Sequence, residues 1–253
     1  MKVAIVTGAS AGLGVEFVKQ IDAGFDIDEI WLVARRLEPM EKLARELTRA
    51  KGVPIVADLT TDEGISAVAG KLAQVRPELE LLVNNAGFGL FGRFAEIDRD
   101  NQLKIIDLNI RALTHLTHVG LEYMGRGGII IQVASLVGFF PACGLSVYAA
   151  TKAYVVSFTS ALAGELKDRG IKCVACCPGM MRTEFVDVAS KYHQLFFYDI
   201  AKADPVKVAA AALAHGRQGK VISIKGFFLQ IASLLTHLLP RSLFVRFTRR
   251  DLP

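Results

Sequence analysis

Cysteine is scarce in this sequence, with four residues among 253. Cys173, Cys176 and Cys177 lie in "KCVACCPG", which reads as a buried strand where free cysteine behaves as a small hydrophobe. Neither these thiols nor Cys143 has further ligands at a spacing typical of metal sites, so no metal is expected. Structural thiols that stay free favour a reducing, cytoplasmic location.

Long hydrophobic runs and basic stripes are also lacking. The apolar run in "MKVAIVTGAS" is too short for a signal peptide, and the one near the C-terminus falls short of the roughly 20 residues that span a bilayer. The net charge is +5; residues 227–253 hold four arginines and one aspartate, so they carry 4 − 1 = +3 and the rest carries 5 − 3 = +2. Because no basic stripe with interleaved aromatics runs through residues 1–226, nucleic-acid binding is not expected.

Short apolar runs alternate with helix-like stretches along the chain. The predicted strands are residues 2–8, 29–35, 53–58, 79–87, 127–135, 171–179 and 220–226. Since these runs are apolar throughout, helices should cover both faces of a parallel sheet. The prediction is an α/β fold: a doubly wound parallel sheet of the Rossmann type, with about seven strands in a single domain.

One stretch illustrates the predicted helices. In "MEKLARELTRAKG", Leu43, Leu47 and Ala50 recur at helical spacing, and Gly52 is expected to end the helix.

The first strand-to-helix turn, "TGASAGLG", contains Gly8, Gly12 and Gly14. Without Cβ atoms these positions can turn sharply and let a pyrophosphate approach the backbone. The free amides at the start of the following helix would then face that anion. The spacing is G-x-x-x-G-x-G rather than G-x-G-x-x-G, and its position between strand and helix indicates a dinucleotide site.

Tyr148 and Lys152 lie one helical turn apart in "SVYAATKAY", so both side chains should share one helix face. A tyrosine has an ordinary pKa of about 10. A fixed ammonium nearby favours the phenolate and should lower that pKa, which would make Tyr148 a proton donor and acceptor. The alternative is a half-buried tyrosine with a lysine extending beside it to solvent.

Together these motifs resemble the short-chain dehydrogenase/reductase family over roughly residues 1–226. Besides the glycine turn, the resemblance involves "DL" at 58–59, "NNAG" at 84–87, and "PG" at 178–179 with Thr183 beyond. Asn109, Ser135, Tyr148 and Lys152 match the family's catalytic tetrad. The resemblance implies that residues 1–226 form a dinucleotide-binding catalytic domain, to which residues 227–253 add an amphipathic, basic extension.

The resemblance also implies roles for individual residues. Tyr148 would be the general acid or base, Ser135 would bind the same substrate oxygen, Lys152 would hold the nicotinamide ribose, and Asn109 would organise a proton-relay water. The implied cofactor-binding residues are Gly8, Ser10, Gly12, Leu13, Gly14, Arg35, Arg36, Asp58, Leu59, Asn85, Ala86, Gly87, Tyr148, Lys152, Pro178, Gly179, Met181 and Thr183.

Cofactor choice depends on the end of the second strand, "LVARR". An acidic residue there would bind the adenosine ribose and select NAD, but Ala34, Arg35 and Arg36 occupy these positions. Arginine can bind a 2′-phosphate with two hydrogen bonds, and Ser10 could donate to the same group. The sequence therefore favours NADP(H) and a carbonyl reductase, although a solvated arginine pair is the alternative.

The expected substrate is a bulky apolar carbonyl compound or alcohol, such as a steroid-like or long-chain ketone. The residues expected to line its pocket are Phe88, Leu90, Phe91, Leu136, Phe139, Phe140, Met180, Met181, Phe185, Phe196, Phe197 and Tyr198. Several of these aromatics could instead merely pack a lid. His115 and His118 have no carboxylate or cysteine partners in the pattern and are interpreted as packing or surface residues.

The segment 227–253 has an apolar stripe at Ile231, Leu234, Leu235, Leu238 and Leu239, followed by Pro240 and arginines. Three interpretations fit: docking over the substrate mouth, packing on a partner subunit of a homodimer or homotetramer, or weak contact with an anionic membrane surface. For the whole protein, a catalytically silent NADP(H)-binding regulator and a peripheral membrane-associated reductase are the alternatives to a cytoplasmic reductase.

Overall fold

The structure, a computed structural model, describes residues 1–181, 189 and 202–249. The strands of its main sheet are β1 Lys2–Thr7, β2 Glu29–Ala34, β3 Lys51–Val56, β4 Glu78–Asn84, β5 Ile129–Val133, β6 Lys172–Cys176 and, after two short strands, β9 Ile222–Ser223. They are parallel and run in the order β3-β2-β1-β4-β5-β6-β9. The predicted doubly wound sheet is confirmed. The two short strands, β7 Met180–Met181 and β8 Lys202–Ala203, form a second sheet that the sequence pattern did not predict.

Helices connect the strands. They are α1 Gly12–Gly24, α2 Leu37–Glu46, α3 Asp62–Val75, α4 Arg99–Ile106, α5 Leu113–Gly120, α6 Ser146–Glu165, α7 Pro205–Gln218, α8 Phe227–Leu238 and α9 Arg241–Thr248. A π-helical stretch, Asp107–Ala112, joins α4 to α5, and 3-10 turns cover Phe94–Glu96 and Leu136–Phe139. None of the helices in the described ranges has the length and apolar character needed to cross a bilayer.

The sheet separates two hydrophobic layers because successive strand residues point to opposite faces. Ala4 and Val6 of β1 pack in one cluster with α1, α2 and α7. Val3 and Ile5 pack in the other cluster with α3 and with residues of α5 and α6. Parallel strands that are buried on both faces explain why their sequences are apolar throughout.

The structure of the stretch "MEKLARELTRAKG" differs from one prediction. Helix α2 ends at Glu46 rather than at Gly52, and Gly52 lies inside β3. A Cβ on Gly52 would lie 2.5 Å from the Cβ of Ala44, so glycine lets the helix pack directly on the strand. The prediction that Gly52 ends the helix is therefore wrong: this glycine allows close packing between α2 and β3.

A buried carboxylate on α1 holds the turn after α2. Asp22 accepts hydrogen bonds from the backbone N–H groups of Thr48 at 2.9 Å, Arg49 at 3.0 Å and Ala50 at 2.7 Å. Burial acts to raise the pKa of the Asp22 carboxyl, but these hydrogen bonds outweigh it and hold the pKa below the ordinary value. The ionised carboxylate therefore stabilises the fold.

Replacing this carboxylate should cost stability in a pH-dependent way. Asp22→Asn should lower the free energy of unfolding at pH 7 by about 2 kcal/mol, since charged hydrogen bonds to buried amides are lost. Because the folded pKa is depressed, the advantage of the wild type is present above the ordinary pKa of about 4 and shrinks as the pH falls below it. Urea unfolding at several pH values measures this difference. Asp26→Asn is the control: the Asp26 side chain is 91% exposed and pairs with Lys2 in a surface salt bridge, so its loss should change little.

Candidate active site

The glycine turn after β1 has the conformation that its composition predicts. Gly8 and Gly12 have φ values of +69° and +55°, which L-residues other than glycine rarely adopt. The Gly8 N–H donates to the carbonyl oxygen of Val33 at 2.8 Å. A Cβ on Gly14 would lie 2.1 Å from the Gly8 carbonyl oxygen, so α1 can start against this turn only without a side chain there.

Asn85, just after β4, links this turn to the centre of the sheet. Its side-chain amide donates to the carbonyl oxygens of Thr7 at 2.8 Å and Gly8 at 3.2 Å. The Thr7 hydroxyl in turn accepts from the backbone N–H groups of Asn85 at 3.0 Å and Ala86 at 2.9 Å. The end of β1 and the end of β4 are therefore held as one rigid unit, and Thr7 is a contributor that the sequence analysis did not identify.

Exposed arginines follow β2, at the edge of the same unit. Arg36 donates a hydrogen bond to the hydroxyl of Ser10 at 3.3 Å. Asp58, which follows β3, accepts from the Thr60 N–H at 3.0 Å and the Thr60 hydroxyl at 2.8 Å. Burial acts to raise the pKa of Asp58, but the Thr60 hydrogen bonds, followed by the charges of Arg35 and Lys104, hold it below its ordinary value. This end of the site thus has cationic side chains beside an ionised carboxylate.

Tyr148 and Lys152 lie on the buried face of α6, one turn apart as predicted, and are 8% and 3% exposed. The Tyr148 side chain hydrogen-bonds that of Ser135. The Lys152 ammonium donates to the carbonyl oxygen of Val133, at the end of β5, at 2.7 Å, and lies 5.7 Å from the centre of the Tyr148 ring. Lys152 is therefore not a side chain that extends to solvent.

Burial dominates the ionisation of both side chains. It raises the pKa of Tyr148 to about 12, against a smaller opposing effect of the Ser135 hydrogen bond. It also lowers the pKa of Lys152 to about 8, against the opposing effects of Cys177 and Cys176. The expected lowering of the Tyr148 pKa is not found in the protein alone: the pKa lies above its ordinary value of 10, because burial disfavours the phenolate. Tyr148 consequently holds its proton firmly at neutral pH.

Asn109 has a different position from the other three residues of the predicted tetrad. It is fully buried in the π-helical stretch between α4 and α5. Its side chain accepts from the Phe88 N–H at 3.1 Å and donates to the Phe88 carbonyl oxygen and to the Thr151 hydroxyl, both at 3.0 Å. The Asn109 amide therefore joins the loop after β4 to α6.

Glycines in the loop after β4 allow close contact with α6. A Cβ on Gly87 would lie 2.9 Å from Oδ1 of Asn109 and 3.3 Å from the Lys152 ammonium. A Cβ on Gly89 would lie 2.5 Å from the ring of Tyr148. Gly89 and Thr151 were missed by the sequence analysis, because their importance depends on which side chains the fold brings against them.

A cavity of about 1000 Å³ connects these features. The predicted site residues that line it are Gly8, Ser10, Gly12, Leu13, Arg35, Arg36, Asp58, Leu59, Asn85, Ala86, Gly87, Ser135, Tyr148, Lys152, Pro178, Gly179 and Met181. Gly14 and Asn109 lie behind the cavity wall, and Thr183 lies outside the described residues. The cradle at Gly8, the start of α1 and the flanking cations fit an elongated anionic dinucleotide.

Only part of the predicted apolar lining is observed. Phe88, Phe91, Leu136, Phe140, Met180 and Met181 face the cavity. Leu90 and Phe139 instead pack in hydrophobic clusters, and Phe185, Phe196, Phe197 and Tyr198 lie outside the described residues. His115 and His118 are exposed on α5 and take no part in the site.

The C-terminal extension contributes an unexpected part of the lining. Phe244, Phe247 and Thr248 of α9 face the cavity. Phe244 stacks on Phe140 with 5.3 Å between ring centres, and the Thr248 hydroxyl accepts a hydrogen bond from the Cys143 N–H at 3.0 Å. The sequence analysis included this docking among its alternatives but did not identify these residues.

Comparison with known proteins identifies the family of this chain. Residues 2–193 match the family model described as short chain dehydrogenase. The chain is 33% identical over 189 residues to sulfoacetaldehyde reductase 2 from Chromohalobacter salexigens, an alignment that covers 72% of this chain and 74% of the relative. It is also 30% identical over 206 residues to human 15-hydroxyprostaglandin dehydrogenase [NAD(+)], covering 78% of this chain and 74% of that protein.

A solved structure is similar over nearly the whole length. The short-chain dehydrogenase from Sphingobium yanoikuyae, in complex with NADPH, superposes with a TM-score of 0.79 at 26% sequence identity. The alignment covers 94% of this chain and 95% of that one.

The contact between Gly14 and Gly8 provides a test of the cradle. Gly14→Ala should weaken NADPH binding by about tenfold or more, because its Cβ would push α1 away from the turn at a cost of about 1–3 kcal/mol. Calorimetric titration measures the dissociation constant. Gly24→Ala, in the same helix, is the matched control: its Cβ would meet only the end of the Arg217 side chain, at 3.8 Å, so binding should not change. Equal affinities for the two variants would contradict the assignment of the cradle.

Proposed function

The chain belongs to the short-chain dehydrogenase family, and we propose that it is an NADP(H)-dependent carbonyl reductase acting on bulky apolar substrates. The observation that supports this proposal is the cavity that joins the glycine cradle, the arginine pair and the buried pair Tyr148 and Lys152. A ligand at the cradle and a substrate beside Tyr148 would share this space.

Tyr148 is the proposed general acid. The chemistry that NADPH would supply when bound is a hydride for the carbonyl carbon, and the carbonyl oxygen would then need a proton. Because burial raises the pKa of Tyr148 to about 12, its hydroxyl is protonated at neutral pH and available to donate. Ser135, which hydrogen-bonds Tyr148, is placed to donate to the same oxygen.

The proposed role of Lys152 is to stabilise the negative charge that develops on Tyr148. With a pKa of about 8, its ammonium is mostly protonated at pH 7. Once Tyr148 has given up its proton, this buried cation stabilises the phenolate, since an opposite charge favours the ionised form. Asn109 positions the loop after β4 and helix α6 through its hydrogen bonds to Phe88 and Thr151. Its proposed further role is to organise a water that relays protons.

Preference for NADP(H) over NAD(H) rests on the arginines, because the relatives are named for different cofactors. The Sphingobium structure contains NADPH, whereas the human relative is named for NAD(+). In this chain Ala34 ends β2 and Arg35 and Arg36 follow it, with the Ser10 hydroxyl at 3.3 Å from the Arg36 guanidinium. Guanidinium groups and a hydroxyl favour binding of a 2′-phosphate. Position 34 is an alanine, so it has no carboxylate to bind a ribose hydroxyl.

The proposed substrate class rests on the cavity walls. The cavity that contains Tyr148 is also lined by apolar side chains, namely Phe88, Phe91, Leu136, Phe140 and Met180, and α9 adds Phe244 and Phe247. Such a lining favours a bulky apolar ketone over a small hydrophilic one. The names of the relatives, which refer to sulfoacetaldehyde and to 15-hydroxyprostaglandin, do not decide between substrates for this chain.

We also propose a homodimer or homotetramer in a reducing, cytoplasmic setting. Exposed apolar side chains at Phe94, Leu103 and Ile106 support self-association. All four cysteines are free thiols, which supports a reducing compartment.

Tyr148→Phe tests the proposed acid. Reduction of an apolar ketone, followed by NADPH absorbance, should fall at least about a hundredfold because the ring stays and only the proton donor is lost. NADPH binding should be retained. Tyr154→Phe is the matched control in the same helix: its hydroxyl shares a hydrogen bond with the Thr114 hydroxyl at 2.9 Å and Tyr154 is not among the described residues that line the cavity, so turnover should persist. Turnover of Tyr148→Phe above a hundredth of the wild type would contradict the role, and a wild type that binds NADPH without reducing any ketone would favour a regulator.

The double change Ala34→Asp and Arg35→Leu tests cofactor choice. It should shift the preference towards NADH, with NADPH affinity falling about tenfold or more, because a charged hydrogen-bond donor to the phosphate is lost and a ribose acceptor is added. Steady-state kinetics with each cofactor measure the ratio. Arg45→Leu removes an exposed arginine of α2 outside the cavity and should leave the ratio unchanged. A wild type that uses NADH as well as NADPH would refute the preference.

A further inference from the structure

The described side chains of helix α8 are arranged differently from those of an ordinary surface helix, whose apolar side packs on the protein. Its half-buried residues Leu229, Ser233 and Thr236 lie on one side, with Leu229 packed against the cluster around Ile224. The opposite side carries the apolar stripe. At 100° per residue, Ile231, Leu234, Leu235 and Leu238 lie about half a turn away from Leu229. Among the described side chains of α8, those that are half-buried therefore include two hydroxyl residues, whereas the apolar stripe is exposed.

The exposed Leu239 and Leu243 follow the stripe along the chain, and we name these six exposed residues together the leucine face. It consists of Ile231, Leu234, Leu235, Leu238, Leu239 and Leu243. Leu234 is 63% exposed and Leu238 is 74% exposed, and the other four members are exposed by between 41% and 47%. Isolated exposed leucines are common, but six large apolar side chains exposed within residues 231–243 indicate contact with an apolar partner.

The charge around the leucine face indicates the kind of partner. Arg241 and Arg246 are exposed on α9 and Arg249 is exposed directly after it, and residues 227–249 contain no aspartate or glutamate. Leucines beside arginines, without acidic residues, match an anionic lipid surface, in which side chains enter the acyl region while guanidinium groups remain at the headgroups. The 12 residues of α8 extend only about 18 Å, so this helix would lie in the interface rather than cross it.

A second copy of the chain suits this surface less well. In a two-fold symmetric dimer the same patch contacts itself, which would bring two sets of three arginines together without an acidic residue from this segment to neutralise them. An anionic bilayer neutralises them directly. The charge pattern therefore favours lipid over self-association at this site.

We propose that the leucine face docks the protein on an anionic membrane surface. Helix α9 connects this surface to the active-site cavity, because Leu243 belongs to the leucine face while Phe244 and Thr248 line the cavity. Docking would hold the α9 wall of the cavity next to the bilayer. A second step, which rests on the proposed reductase function, is that the enzyme takes ketones dissolved in the bilayer.

Co-sedimentation with vesicles tests the docking without relying on activity. Full-length protein should bind vesicles of phosphatidylcholine and phosphatidylserine in roughly equal parts at low salt, and bind phosphatidylcholine vesicles weakly. Leu234→Glu with Leu238→Glu should lower binding at least about tenfold, since both charges would enter the acyl region. Arg241→Gln and Arg246→Gln should each lower binding about fivefold at low salt and less at high salt.

A matched control distinguishes vesicle binding through the leucine face from non-specific adsorption to vesicles. Val206→Glu changes an apolar side chain that is 49% exposed on α7, outside this surface, and should bind vesicles like the wild type. Circular dichroism and analytical ultracentrifugation verify fold and oligomeric state. The proposal is overturned if the wild type does not bind the anionic vesicles, if Leu234→Glu with Leu238→Glu binds as well as Val206→Glu, or if that double variant dissociates an oligomer while vesicle binding is absent.

Kinetics with two kinds of substrate test the second step. The double glutamate variant should raise the apparent KM about tenfold for an apolar ketone presented in anionic vesicles, and leave KM unchanged for a ketone dissolved in buffer. Equal KM changes for both substrates would overturn delivery from the bilayer. Vesicle binding with no reductase activity would instead contradict the proposed function and leave the docking surface standing, so the two failures are distinguishable.

Discussion

The contact on which the candidate site depends is the 2.7 Å hydrogen bond from the buried Lys152 ammonium to the carbonyl oxygen of Val133. It ties α6 to the end of β5, and so places Tyr148 beside Ser135, which follows the same strand. The loop after β4 closes against this unit through Gly87 and Gly89, where side chains would collide with Lys152 and Tyr148. Asn109 then secures the loop from behind through Phe88 and Thr151. Because a buried ammonium needs hydrogen-bond acceptors, Val133 specifies where the helix can lie.

Burial has opposite effects on the two titratable side chains of this unit. It stabilises the neutral form of each, which raises the pKa of Tyr148 and lowers that of Lys152. The protein alone therefore presents a protonated phenol beside a cation whose pKa is close to physiological pH. Such an arrangement suits a proton donor in a reduction, since the phenol is charged only after it has donated and the cation is present when that charge develops.

The C-terminal extension has two different sides, and this is its main structural property. One side completes the cavity with Phe244 and Thr248, which contact Phe140 and Cys143. The other side presents leucines and arginines to the surroundings. The same short segment therefore both lines the cavity and carries the proposed docking surface.

The sequence by itself determined the doubly wound fold and the order of the main strands along the chain, because apolar runs between helical stretches specify a sheet covered on both faces. It also located the glycine turn and the pairing of Tyr148 with Lys152, since both depend on local spacing. Only the tertiary structure decided where α2 ends, which aromatics line the cavity, and that Gly89 and Thr151 support the site, because these follow from contacts between distant segments. The pKa of Tyr148 and the outward direction of the α8 stripe were likewise decided there, because burial depends on what packs around a residue and not on its neighbours in the chain.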